Sequence, residues 1–146
     1  MANIILLNPE IILASAGLCI LLAGAFINEN RARLLFHFGT ISAAAVLGMV
    51  LSQAAFFAYG TGTMWILDPG AQLFKFIILA ATVFTLLLSV NYSAIQPRHI
   101  GTYTALLLWA SCGMMLLSGA MDFIYLLISL ELISISCFIL TGFEQK

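Results

Sequence analysis

Apolar residues run along this chain in long unbroken blocks, and polar residues collect in the short stretches between them. Five blocks stand out, at residues 11–27, 34–59, 73–92, 102–121 and 123–143. Each reaches or passes the ~17 residues that an α-helix needs to cross a hydrocarbon core ~30 Å thick. Apolar and polar positions do not alternate at period two within them, so a transmembrane β-barrel is excluded. The pattern predicts an all-α fold, a polytopic bundle of five transmembrane helices.

The connections are short and carry recognisable signals. Pro9-Glu10 suits the start of a helix, where proline lacks no needed N–H and an acid favours the dipole. Residues 1–8 hold no Lys or Arg, so the first block does not read as a cleaved signal peptide. The second block is the longest and is expected to tilt or to fray into the Gly60–Gly70 loop. That loop contains Gly60, Gly62 and Asp68-Pro69-Gly70, all turn chemistry. Blocks four and five meet almost directly at Met121-Asp122, which predicts a tight antiparallel hairpin. Asp122 is read as an N-terminal cap, with a role at an ion-admitting mouth as the other reading.

Composition agrees with the pattern and narrows it. Hydrophobic residues make up 63% of the 146 and charged residues only 8%, against ~25% charged in a soluble domain. A soluble enzyme and a disordered regulator are excluded, and with five Lys/Arg against six Asp/Glu there is no basic surface for nucleic acid. The lipid bilayer is the surrounding this chain is made for. Arg31, Arg33, Arg98 and Lys146 fall on one side of the bundle and Lys75 alone on the other. The positive-inside rule then predicts an outside N-terminus and a cytoplasmic C-terminus.

Few residues offer chemistry. Cys19, Cys112 and Cys137 lie within spans without metal-ligand or CxxC spacing and read as small buried residues. His37 and His99 read as interfacial polar groups, with a proton-relay role as the alternative. No nucleotide, haem or nucleophile motif is present.

Of the charged residues, only Lys75 and Glu131 lie inside the blocks. Glu131 sits ~12 Å below the end of its helix, close to the bilayer middle. An acid there costs ~2.5–3.5 kcal/mol on insertion scales, so a compensating role is expected. Ser134 and Thr141 lie ~60° and ~80° from it around the helix and could extend a polar path, while Ser129 and Ser136 point elsewhere. The favoured reading is a proton relay; the other is a protonated glutamate that holds helices together. Lys75, near the outer end of its span, reads first as a lysine snorkelling to the headgroups. Against that, Lys75, Thr82, Thr85 and Ser89 share one helix face, a polar stripe that would suit an accessory path. A depth difference of ~9 Å separates Lys75 from Glu131 in this reading.

The run Leu117-Ser118-Gly119-Ala120-Met121-Asp122-Phe123, continued by Leu127 to Ser134 around Glu131 and by Gly142-Phe143, resembles the fifth helix of NADH-quinone oxidoreductase subunit N. That subunit belongs to the membrane arm of respiratory complex I and is related to cation/proton antiporters. Asn8-Pro9-Glu10-Ile11, Phe74-Lys75-Phe76, Leu88 to Tyr92 and the Gly101–Tyr103 approach to the fourth helix are similar too. The resemblance implies that Glu131 is the proton-relay residue and that quinone reduction elsewhere in the complex drives the movement. It places the flavin and iron–sulfur clusters in partner subunits, with no cofactor or metal in this chain and quinone as the complex's substrate. It implies other membrane-arm subunits as partners and a bacterial plasma (inner) membrane as the location.

The family pattern has about fourteen helices, with inverted repeats and broken helices, and its membrane lysines come from later helices. This sequence stops after the fifth. It is therefore expected to be the N-terminal portion of such a subunit, carrying the first two helices of a repeat at residues 102–143, with the rest of the subunit as a missing partner. Met121 stands where the family often has a polar residue. Two other functions fit the residues: a subunit of a related Na⁺/H⁺ antiporter, or a non-catalytic structural or assembly protein.

Overall fold

The computed structural model describes residues 8–26, 33–55, 60–61, 65–89 and 99–142. They form helices α1 (Asn8–Phe26), α2 (Arg33–Ala55), α3 (Pro69–Ser89), α4 (Ile100–Ser118) and α5 (Phe123–Gly142). Two short strands, β1 (Gly60–Thr61) and β2 (Ile66–Leu67), lie between α2 and α3. All five helices are long and apolar enough to cross a membrane, as the five blocks predict.

The strands pair antiparallel, Gly60 with Leu67 and Thr61 with Ile66. The Ile66 N–H donates to the Gly119 carbonyl at 2.8 Å, and Trp65 bridges to Ala120. This hairpin therefore ties the start of α3 to the end of α4, and its side of the bundle is the hairpin end.

Helix limits differ from the block limits where capping chemistry overrides hydropathy. Asp68-Pro69-Gly70, expected as a turn, opens α3 four residues before residue 73. Asp68 Oδ1 accepts the Ala71 N–H at 2.6 Å, and Pro69 fills a first-turn position where its missing N–H costs nothing. Asp122 caps α5 as expected, accepting the Ile124 N–H at 3.2 Å. The α4 helix stops at Ser118 rather than 121, the Gly119 and Ala120 N–H groups folding back onto Leu116 and Leu117 carbonyls. The expected fraying of the second block falls on residues 56–59, outside the described residues.

Helix α4 is the centre of the bundle and packs against the other four. In its most apolar window 61% of residues face inward, against 11% for α5. Lipid tails are as apolar as leucine, so helices associate by close packing rather than by the hydrophobic effect, and small residues permit it. Helices α1 and α4 cross at Gly24 and Gly101, where a Cβ on Gly101 would lie 3.0 Å from the Gly24 Cα. Further along the same interface, the Trp109 indole N–H donates to the Ala14 carbonyl at 3.1 Å.

Helix α5 meets α4 along a seam of small residues. A Cβ on Gly113 would come within 2.8 Å of Ile133 Cγ1 and 3.2 Å of the Ser129 carbonyl. Ser129 and Ser136 are buried against this seam, seven residues apart and thus on one face. Their hydroxyls donate to the Tyr125 and Leu132 carbonyls of their own helix, each at 2.8 Å. In α2, Phe36, Ala43 and Val50 repeat the same spacing in the core, as do Leu79 and Leu86 in α3. A seven-residue repeat is the signature of helices crossing at a small angle.

Candidate functional site

The small-residue seam decides where Glu131 points. Ser129 and Ser136 face α4, and Glu131 lies ~160° from Ser129 around the helix. Its side chain is therefore on the uncovered side of α5 and is exposed. Ser134 and Thr141 are exposed beside it, and the Thr141 hydroxyl donates to its own helix at Phe138. No hydrogen bond or ion pair reaches the Glu131 carboxyl among the described residues. It lies eight residues into α5, ~12 Å from the helix start, so a mid-span carboxyl stands on a face that this chain leaves open.

Lys75 is elsewhere and is differently engaged. It is 3% exposed, and its ammonium lies 2.5 Å from Oε1 of Glu10, itself 2% exposed. Snorkelling to the headgroups, the first expectation for this lysine, does not occur. The reason is that α1 begins at Asn8, which brings Glu10 inside the bundle, and α3 begins at Pro69, which sets Lys75 ~9 Å down its helix. Lys75 and Glu131 differ in depth by only ~3 Å, not by the ~9 Å expected. What separates them is facing: Lys75 points to α1, Glu131 points away from α4, and α3 and α5 do not pack together to any extent. Lys75, Ser134 and Thr141 are not brought together.

The contact between Lys75 and Glu10 is close but not aligned as a hydrogen bond, and Glu10 Oε2 has no partner. The Cys112 thiol donates to the Glu10 backbone carbonyl at 3.5 Å. Glu10 is also within electrostatic reach of the Tyr125 phenol on α5. Lys75 of α3 and the Cys112 thiol of α4 thus both meet Glu10 of α1. Removing two charges from water costs several kcal/mol per ion, and their attraction recovers roughly that amount.

Two further polar rungs continue down the same face of α3. The Thr82 and Ser111 hydroxyls share a hydrogen bond at 2.6 Å, and Ser89 and the Tyr103 hydroxyl share one at 3.0 Å. The rungs are ~10 Å apart, and Leu79 and Leu86, both fully buried, lie between them. Leucine side chains fill the intervals, and the two rungs fix α3 on α4. Thr85, expected on this stripe, is exposed instead and lines a groove of about 280 Å³ between α3 and α4.

Glu10, Gln72, Ser111 and Tyr103 were not anticipated. A signal for Gln72 existed in the 72/75/82/89 spacing, and one for Glu10 in its nearness to a helix end shared with Lys75. Of the cysteines expected to be buried, only Cys112 is; Cys19 and Cys137 are exposed on α1 and α5. His37 and His99 are both exposed. No group of three or more His, Cys, Asp or Glu that could hold a metal occurs among the described residues.

The fold and these groups define an integral membrane protein with ionisable side chains at bilayer depth. No family model matches the chain. It is similar to NADH-quinone oxidoreductase subunit N over nearly its whole length, as the resemblance in its sequence implied. The chain is 33% identical to subunit N 2 of Rhizobium meliloti over 94% of its residues, and 31% identical to subunit N of Granulibacter bethesdensis over 98%. It is also 30% identical to F(420)H(2) dehydrogenase subunit N of Methanosarcina mazei, over its full length. It spans 29%, 30% and 31% of these three relatives respectively.

Proposed function

We propose that this chain is the N-terminal portion of a proton-translocating membrane subunit of a quinone oxidoreductase, with Glu131 as the group through which a proton passes. The observation that carries the reading is a mid-span carboxyl on the uncovered face of α5, in a chain similar to subunit N. A carboxyl facing lipid alone would be a cost without return. Set against further helices bearing a cation or a second proton carrier, it becomes a relay. Ser134 and Thr141 flank it on that face and extend the polar surface along α5. Electron transfer from NADH to quinone takes place in partner subunits that hold the flavin and iron–sulfur clusters. The F(420)H(2) dehydrogenase relative bears a different donor's name, which suits a membrane subunit that never touches the donor.

In this reading the N-terminus lies outside and the C-terminus in the cytoplasm, the membrane is a bacterial plasma membrane, and the partners are other membrane-arm subunits together with the remaining helices of the same subunit. Affinity-tagged chain isolated from its native membrane is expected to bring down quinone reductase activity. Isolation without any such activity would refute the assignment to this assembly and favour an antiporter subunit or a structural role.

A further inference from the structure

Among the described residues, every buried side-chain nitrogen or oxygen without a hydrogen-bond partner belongs to Glu10, Gln53 or Gln72. These are both carboxylate oxygens of Glu10, Oε1 of Gln53 and Nε2 of Gln72. Glu10 lies two residues from the start of α1, Gln53 two from the end of α2, and Gln72 three from the start of α3. All three therefore sit within ~5 Å of their helix ends, on the hairpin end of the bundle. Helices α1 and α2 pack together, as do α2 and α3. Elsewhere the buried hydroxyls of Thr82, Ser89, Thr104, Ser111, Ser129 and Ser136 are all bonded.

Unpaired polar atoms at one level, contributed by three neighbouring helices, are the usual surroundings of internal water, which binds two to four such partners. Glu10 and Gln53 offer acceptors and Gln72 a donor, while Lys75, one turn from Gln72 on the same face, brings the ammonium. The groups facing Glu10 from the other helices, Cys112 and Tyr125, add no second charge. Pro9, Trp65, Leu67 and Ala71 are buried at this end.

We infer that the hairpin end holds an internal water site built on Glu10, Lys75, Gln53 and Gln72, through which the protons of the Glu10–Lys75 pair exchange with the aqueous phase. It is separate from Glu131 and does not depend on the relay reading. Here the ligand is water; no bond other than an exchanging O–H, N–H or S–H is made or broken.

The Cys112 thiol, bonded to the Glu10 carbonyl, reports on the site. In chain carrying Cys19→Ala and Cys137→Ala, transferred to D₂O in detergent micelles, the S–H stretch of Cys112 is expected to vanish well before the core amides of α4 exchange. Gln53→Leu with Gln72→Leu removes two of the water's partners and is expected to slow this exchange at least about tenfold. A thiol that keeps its proton as long as the α4 amides, or the same rate in the double variant, would overturn the inference. A second readout uses Lys75→Met. Its infrared spectrum is expected to gain a protonated-carboxyl band, absent after Glu10→Gln, that shifts promptly in D₂O; a band insensitive to D₂O would mean a dry clasp.

Discussion

Lys75→Met removes the cation that Glu10 faces while keeping most of the side-chain volume. At 2.5 Å and an effective dielectric of ~20, the direct attraction is about 7 kcal/mol, close to what desolvating the two ions costs. The intact pair is therefore near neutral for stability, but the half-pair is not. Leaving one buried charge unmatched costs about 3–5 kcal/mol. Neutralising an ordinary carboxylate at pH 7 costs about 3.7 kcal/mol, within the same range, so taking up a proton spares the variant little of this loss. Cys112 supplies the assay, being buried beside Glu10. In a Cys19→Ala/Cys137→Ala background, its maleimide labelling rate reports how often the bundle opens. At about 1.4 kcal/mol per decade, Lys75→Met is expected to raise that rate by roughly two to four orders of magnitude. The double variant Glu10→Gln/Lys75→Met, with no charge left to bury, is expected to return most of the way. Equal labelling in the single variant and the parent, or a double variant as labile as the single one, would refute the reasoning.

Other perturbations follow from the same packing. Thr82→Val with Ser111→Ala should show a coupling of about 0.6–2 kcal/mol in a double-mutant cycle read by the same labelling, because only one shared hydroxyl bond is lost. Gly113→Val places atoms where Ile133 and the Ser129 carbonyl now lie and should cost about 1–3 kcal/mol. A cysteine introduced at Ser129 should then label faster, with Cys137 unaffected. In the unmodified chain Cys137 should react with a membrane-permeant maleimide far sooner than Cys112, and equal rates would contradict the packing of α4. Glu131→Gln should leave Cys112 labelling within about threefold of the parent, because an exposed group contributes little to stability.

Much of the fold was legible in the sequence because membrane spans are set by one dominant variable, a run of apolar residues matched to bilayer thickness. The helix ends were less so. Asp68-Pro69-Gly70 reads as a turn by composition, yet the same three residues are a capped helix start, and only the structure decides between them. That shift had consequences for chemistry. With α3 starting at residue 73, Lys75 is a terminal lysine free to snorkel; with α3 starting at Pro69 it is a buried lysine in need of a counter-ion. Glu10 does stand in the first turn of α1, as an acid suited to a helix start should, but its burial against Lys75 was not legible for the matching reason. Glu131 was legible as an anomaly because a mid-span carboxyl has few bland explanations. Its direction was not, since the outward facing depends on Ser129 and Ser136 packing against Gly113, a tertiary contact that periodicity alone does not reveal.

The relay role of Glu131 is tested most directly by the number of protons moved per electron delivered to quinone, measured in vesicles carrying the assembled complex with Glu131→Gln. A fall in that ratio, with assembly intact and partial recovery in Glu131→Asp, is the result expected. An unchanged ratio in the Glu131→Gln complex would show that the carboxyl on the uncovered face of α5 carries no proton, and the proposed function would fall with it.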